Sequence, residues 1–376
     1  MRKQLRSGLW AVALAALLAG GGWWRFGGSF CGAAAGGWFQ SAAPGCPTNL
    51  NQLLSLAPSR IGQHDIALMN LLCAEGLPGA EHLNPRECLD TLDQWAKRVR
   101  SETERHLYRF RANPGEFESS EGYFRMLMMA VVLYEDFSVR YNPARMSTPA
   151  QVIADPNDHF FADSRDLFLH GLLPPSLNSL NSQPSTINSP SGTCSSMPVL
   201  YIALGRRLGY PLKLVTTKSH LFIRWDSPTE RFNLEATGKG MNRYDDEHFK
   251  HWPFPVTDEE IQADGYLKSL TAVEELALFL SLRGHCLKEA GRMPEAIACY
   301  AEAVRLAPDS RPYRLLLADA RQQTPDRSAG VPPASPGGVP PAYAQTPPLL
   351  PPPPQVQSTP PGAPRDPNPR LNIRQP

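Results

Sequence analysis

From position 66 onward the apolar residues fall on a helical period. Ile66, Leu68, Met69, Leu71 and Leu72 make one stripe. Asn84 and Pro85 read as an N-cap and first turn, opening a helix that carries Leu89, Leu92, Trp95, Ala96 and Val99. Tyr123 to Val139 is a third, strongly apolar helix, and its Met126, Met128 and Met129 read as adaptable core filler. Pro198 to Leu208 is a further helix, closed by Gly209 in the C-cap position. The period then changes. Leu212 to Thr217 alternates, and Leu221 to Trp225 and Phe232 to Ala236 are short apolar, aromatic runs that read as strands. Helices come first, then one helix leads into strands, so the predicted class is α+β with a small antiparallel sheet.

After the strands the helical period returns with a longer regularity. Residues 277–310 fit one tetratricopeptide unit of about 34 residues. Gly284, Gly291, Ala296, Tyr300, Ala303 and Pro308 fall at that repeat's expected positions, the small residues lying where its two helices approach closely. Only one unit is visible, and about three are needed to stand alone, so the unit must lean on the rest of the chain. Tyr313 to Ala320 is read as its closing helix. A structural extension of the main domain is the preferred reading, ahead of a groove for a partner protein.

The flanks divide the chain into 1–26, a signal peptide or membrane anchor; 27–58, a linker; 59–268, the main domain; 269–321, the repeat with its closing helix; and 322–376, a tail. Arg2, Lys3 and Arg6 precede an apolar stretch from Leu9 to Leu18, followed by Gly20 to Gly22 and Trp23-Trp24. This is an export pattern with a poor cleavage site, which predicts an extracytoplasmic protein, periplasmic or secreted, or one held in the inner membrane by an uncleaved N-terminus. Residues 173–192 form a long Pro, Ser and Asn loop. Of the 39 prolines, 18 lie after position 321, which marks the tail as disordered. The net charge of +1 and the lack of basic clusters exclude a nucleic-acid surface.

Seven cysteines are present, with no CxxC pair. Cys73, Cys286 and Cys299 lie in helical patterns and are expected to pack as small apolar groups. Cys31, Cys46 and Cys88 are left open to pairing in an oxidising compartment. Cys194 is different: it follows Gly192-Thr193 and directly precedes a helix. A thiol there meets the positive end of the helix dipole, which favours the nucleophilic thiolate. His220 opens the strand Leu221–Trp225, and Glu235 lies 15 positions on, in the next strand. A carboxylate there can hold the second imidazole nitrogen and fix tautomer and tilt. Asn233, on the same face by the two-residue repeat, is the alternative orienting residue. Trp225 is read as core, with a place beside His220 kept open. His248, His251, Asp245 and Asp246 read as a solvated loop rather than half a metal site, and Asp155, Asp158 and His159 as a polar turn. No metal or cofactor is expected.

The stretch Gly192-Thr193-Cys194-Ser195-Ser196-Met197-Pro198-Val199-Leu200-Tyr201, running to Gly205-Arg206-Arg207-Leu208-Gly209-Tyr210-Pro211, resembles the bacterial transglutaminase-like core of SirB-type proteins. Ser219-His220-Leu221-Phe222-Ile223-Arg224-Trp225 resembles that family's histidine strand, and Asp65 to Leu107 its helical lead-in. The resemblance spans about residues 60–265. It implies a papain-like core with Cys194 as nucleophile, His220 as base and Glu235 at the acidic position, where many such cores have Asp. Some members also carry a tetratricopeptide repeat after the core. The implied activity is that of a cysteine hydrolase or acyl transferase acting on an amide bond of a protein or peptide substrate. The rival expectation is an inactive scaffold whose working part is the repeat. One oxyanion donor is expected from the Cys194 backbone N–H; the sequence does not identify a second.

Overall fold

The computed structural model describes residues 46–145, 159–173, 190–238 and 242–323. The N-terminal export or anchor segment, Cys31, Asp155, Asp158, most of the 173–192 loop and the Pro-rich tail lie outside the described residues. None of the described helices is long and apolar enough to cross a membrane.

The architecture is mixed helix and sheet. Helices α1 (Leu50–Leu54), α2 (Pro58–Ile61), α3 (Ile66–Ala74), α4 (Pro85–Ala112) and α5 (Glu121–Val131) come first. Two-residue strands β1 (Arg140–Tyr141) and β2 (Ser191–Gly192) pair in parallel. Helix α6 (Met197–Arg207) leads into β3 (Leu212–Thr217), β4 (His220–Asp226), β5 (Arg231–Leu234) and β6 (Arg243–Tyr244), an antiparallel sheet in sequence order. Then follow α7 (Asp246–His251), α8 (Asp258–Asp264), α9 (Ala272–Glu289), α10 (Met293–Leu306) and α11 (Arg311–Gln322).

Capping chemistry sets several boundaries. The Asn84 side chain accepts from the Arg86 and Glu87 N–H groups at 3.1 and 3.4 Å, with Pro85 in the first turn, as the sequence predicts. Thr271 and Glu274 close a reciprocal capping box on α9. Three boundaries differ from expectation. Leu50–Leu54 folds inside the 27–58 segment read as a linker, because Leu53 is fully buried in the core. The third helix starts at Glu121 rather than Tyr123, because Ser120 caps it, and passes into a π turn at Val132–Asp136 before Val139. The Asp245–His251 segment is a capped helix rather than a loop: Asp245 accepts from the His248 N–H at 2.8 Å.

The sheet has two different faces. Side chains alternate along β4, and the pairs Leu214↔Ile223 and Leu212↔Trp225 put Leu212, Leu214, Ile223 and Trp225 on one face. That face packs on α6, where a Cβ added at Gly205 would come within 2.2 Å of Leu212 Cδ1. Trp225 is core, stacked on Phe232 with ring centres 5.8 Å apart. The opposite face carries His220, Phe222 and Arg224, and Phe249 of α7 covers it by stacking on Phe222 at 3.7 Å. Arg224 is fully buried, donating to Asn233 Oδ1 (2.7 Å), the Leu267 carbonyl (2.9 Å) and Asp246.

Helices α9 to α11 are not a separate body. Leu276, Phe279 and Leu280 share one core with α3 and α6. Glu275, fully buried, takes the Arg206 guanidinium on both oxygens, and Arg283 donates to the Cys73 and Glu75 carbonyls at 2.8 and 2.6 Å. Within the pair, Gly284 is the point of closest approach: a Cβ there would lie 2.4 Å from the Tyr300 ring. Tyr300 cannot give way freely, because it is buried and its hydroxyl sits 3.2 Å from His285 Nδ1. Gly284→Ala is therefore expected to destabilise the protein by up to about 2 kcal/mol, an overpacking cost of about 1–3 kcal/mol exceeding the ~1 kcal/mol of helix propensity gained. Denaturant midpoints of the two proteins check this, and an unchanged or raised midpoint contradicts the packing described.

Candidate active site

Cys194 opens a turn, residues 194–196, that runs directly into α6, and this turn is held by neighbouring hydroxyls. The Ser195 N–H donates to Thr193 Oγ1 (3.2 Å) and the Thr193 N–H to Ser196 Oγ (3.1 Å). Both hydroxyls in turn donate to the Asp166 carbonyl, at 2.7 Å from Thr193 and 3.0 Å from Ser196. Thr193 and Ser196 are fully buried. Gly192 is required here by space, since a Cβ would fall 2.5 Å from Ser196 Oγ. The Asp166 carboxylate faces the other way, accepting from Asn142 Nδ2 (2.6 Å) and Arg145 Nε (2.9 Å). One residue thus ties the cysteine turn to the chain that follows β1.

His220 is brought in by a tight turn. The β3–β4 hairpin pairs Thr217 with His220, and Ser219 between them takes φ +60°. His220 Nε2 lies 2.6 Å from Glu235 Oε2. Glu235 thus takes Nε2 and not Nδ1, and the Cys194 thiol lies near enough to act on the charge of the imidazole. The other carboxylate oxygen of Glu235 accepts twice from Thr237, from its N–H at 2.8 Å and its hydroxyl at 2.6 Å. The loop that follows Glu235 is pinned by Tyr134, whose hydroxyl donates to the Gly238 carbonyl at 2.7 Å. Trp252 stands edge-on to the imidazole, centres 4.6 Å apart, and is the exposed aromatic beside it.

The electrostatics follow from this geometry. Burial alone would lower the His220 pKa, but the facing Glu235 carboxylate and the thiol outweigh it and raise it from 6.5 to about 9. Burial alone would raise Glu235, but the His220 charge and the two Thr237 donors hold it below the usual carboxylate value. An imidazolium anchored by a carboxylate is the kind of group that can assist a neighbouring thiol in attack on a carbonyl carbon and protonate a leaving amine. Among the described residues no cluster of His, Cys, Asp and Glu is suited to a metal ion.

The structure brings Cys194, His220 and Glu235 together and leaves Asn233 out. Both Asn233 amide atoms are committed elsewhere, Oδ1 to Arg224 and Nδ2 to Asp246 at 2.7 Å, so it does not orient the histidine. The face was read correctly, but the buried guanidinium claims that amide. Cys46, Cys73, Cys88, Cys194, Cys286 and Cys299 are all unbridged. Burial pushes the Cys88 and Cys286 thiols up to about 12, and Cys73 above the usual thiol range, so these stay protonated. Thr237, Asp166, Tyr134 and Trp252 are not identifiable as site residues from sequence; only Thr237 carried a signal, two places after Glu235. A cleft of about 530 Å³ opens elsewhere on the sheet, lined by residues including Phe232, Asn233, Arg243 and Tyr244, and none of Cys194, His220 and Glu235 lines it.

No family model matches this chain, and no curated protein or solved structure shows significant similarity to it.

Because His220 is raised on folding, its ionised form stabilises the protein fully below its unfolded value of about 6.5, and that contribution is lost as pH rises through about 9. Unfolding free energies measured from pH 6 to pH 10 are expected to fall more steeply in the wild type than in Glu235→Gln. Parallel curves would contradict the ion pair. Thr193→Val, which removes the bond to the Asp166 carbonyl, is expected to cost about 1–3 kcal/mol by denaturant unfolding; a neutral effect would mean that this hydroxyl does not hold the turn.

Proposed function

We propose that this protein is a cysteine-dependent acyl-transfer enzyme with a papain-like, transglutaminase-type core, acting on an amide bond of a protein or peptide. The observation that carries the reading is the Glu235–His220 pair at 2.6 Å, with the Cys194 thiol near enough to act on the imidazole. Cys194 Sγ attacks the carbonyl carbon, and His220 protonates the leaving amine. An acyl-enzyme remains, which water or an amine resolves. Glu235 holds the imidazole, and Thr237 holds Glu235. Helices α9 to α11 take the role of a single tetratricopeptide unit fused to this core. Their buried contacts with α3 and α6 favour the structural role over an independent partner-binding module. An exported or anchored location completes the proposal, resting on the basic and apolar pattern of residues 2–24.

p-Nitrophenyl acetate tests the reaction class without knowledge of the natural substrate. The wild type is expected to release nitrophenolate with an acetyl thioester on Cys194, seen by mass spectrometry, and Cys194→Ala to release it only at the background rate. Equal release by both proteins, with no adduct on Cys194, contradicts the proposal.

A further inference from the structure

We infer that Tyr141 supplies the second oxyanion donor of the Cys194 site, its phenolic O–H and the Cys194 backbone N–H together forming the pocket for the carbonyl oxygen under attack. The inference rests on the acyl-transfer reading above and assigns a role to a residue that this reading leaves unused.

The placement comes from the backbone first. Tyr141 pairs directly with Gly192, two residues before the nucleophile. The pairing is fixed on both sides: the Arg140 N–H donates to the Pro190 carbonyl at 2.9 Å, and the Asn142 N–H to the Gly192 carbonyl at 2.8 Å. Asn142 and Arg145, which follow Tyr141, are bound by the Asp166 carboxylate, while the Asp166 carbonyl holds Thr193 and Ser196 around the cysteine. Tyr141 and Cys194 are therefore positioned by the same anchor. Such rigidity is what an oxyanion pocket needs, because its donors must already be aimed when charge develops.

The side chain then meets the site. The phenol is close enough to Cys194, Glu235 and Asp166 for all three to act on it electrostatically. Paired to Gly192 by its backbone, Tyr141 is thus within electrostatic reach of the residue that carries the first donor. The hydroxyl proton at present goes to the Arg145 carbonyl at 3.0 Å. Rotation about the phenolic C–O bond redirects that proton with no backbone movement. Burial first, and then the negative charges of Cys194, Glu235 and Asp166, push the phenol above its ordinary value, so it stays protonated and able to donate through the working range. Two other hydroxyls of the turn, those of Thr193 and Ser196, are both committed to the Asp166 carbonyl.

The step can be written for p-nitrophenyl acetate. The Sγ–C bond forms as the carbonyl π pair moves onto oxygen, and that oxygen accepts from the Cys194 N–H and the Tyr141 O–H. The pair then returns, the bond to the nitrophenoxy oxygen breaks, and p-nitrophenolate leaves with those electrons. The enzyme keeps a thioester. Alkylation by iodoacetamide differs in the relevant respect: the thiolate displaces iodide at carbon and no oxyanion forms.

The test compares both reagents on the full chain, with the Cys194 adduct quantified by mass spectrometry. In Tyr141→Phe, acylation by p-nitrophenyl acetate is expected to fall about 100-fold or more, the usual effect of removing one oxyanion donor, while alkylation by iodoacetamide holds near the wild-type rate. Acylation at the wild-type rate overturns the inference. So does an equal fall in both rates, which would place Tyr141 in support of the thiolate or of the turn. A wild-type Cys194 that alkylates normally but never acylates overturns the acyl-transfer reading, and this inference with it.

Discussion

A carboxylate and an imidazole, both nearly excluded from water, face each other at 2.6 Å between the end of β5 and the start of β4. Burying two such groups is costly unless their remaining hydrogen-bonding capacity is met. Here the carboxylate's is met, because Thr237 gives two donors to its other oxygen, and the nearby Cys194 thiol further favours the charged imidazole. Removing either partner would leave a buried group uncompensated, a change that costs about 3–5 kcal/mol in buried pairs. The hairpin turn at Ser219, the Tyr134 bond to the Gly238 carbonyl and the Asp166 clamp all serve to keep this pair and its thiol in register. The stability of the sheet end and the proposed reactivity of Cys194 are in this sense two aspects of one interaction.

The two faces of the sheet divide the labour. The face of Leu212, Leu214 and Ile223 is apolar and rests on α6, which fixes where the helix begins and hence where Cys194 stands. The opposite face carries polar groups at both ends, His220 and Glu235 at one and the buried Arg224 and Asn233 with Asp246 at the other, with Phe222 between them. Phe249, stacked on Phe222, separates this face from solvent. Glu235 in place of a shorter carboxylate fits this arrangement, because its extra methylene lets one oxygen reach the imidazole while the other folds back to its own neighbour Thr237.

Much of this was legible in the chain itself. Long, strongly patterned segments were read to within a few residues: α3, α4 and α6, and strands β3 to β5, follow from periodicity and from Asn84, Pro85 and Gly209. Cys194, His220 and Glu235 were legible because each stands at an element boundary next to the helix or strands that carry the site. Asn233 misled because alternation reports the face of a residue and not its partner; the partner is Arg224, nine positions away in sequence and directly opposite in the sheet. The β1–β2 pair and β6 are two residues long and have no period to detect. Tyr141, Asp166 and Tyr134 act through contacts 27 to 104 residues away, which no local pattern encodes.

The central claim is that His220 makes the Cys194 thiol reactive. The direct measurement is the iodoacetamide alkylation rate of Cys194 against pH, in wild type and in His220→Ala, with the adduct located by mass spectrometry. The account predicts a wild-type rate that stays high well below pH ~7 and falls at least about tenfold in the variant, as expected for a thiolate held by an imidazolium. A wild-type rate that rises only near the free-thiol pKa of about 8.5, and is the same in His220→Ala, would contradict it.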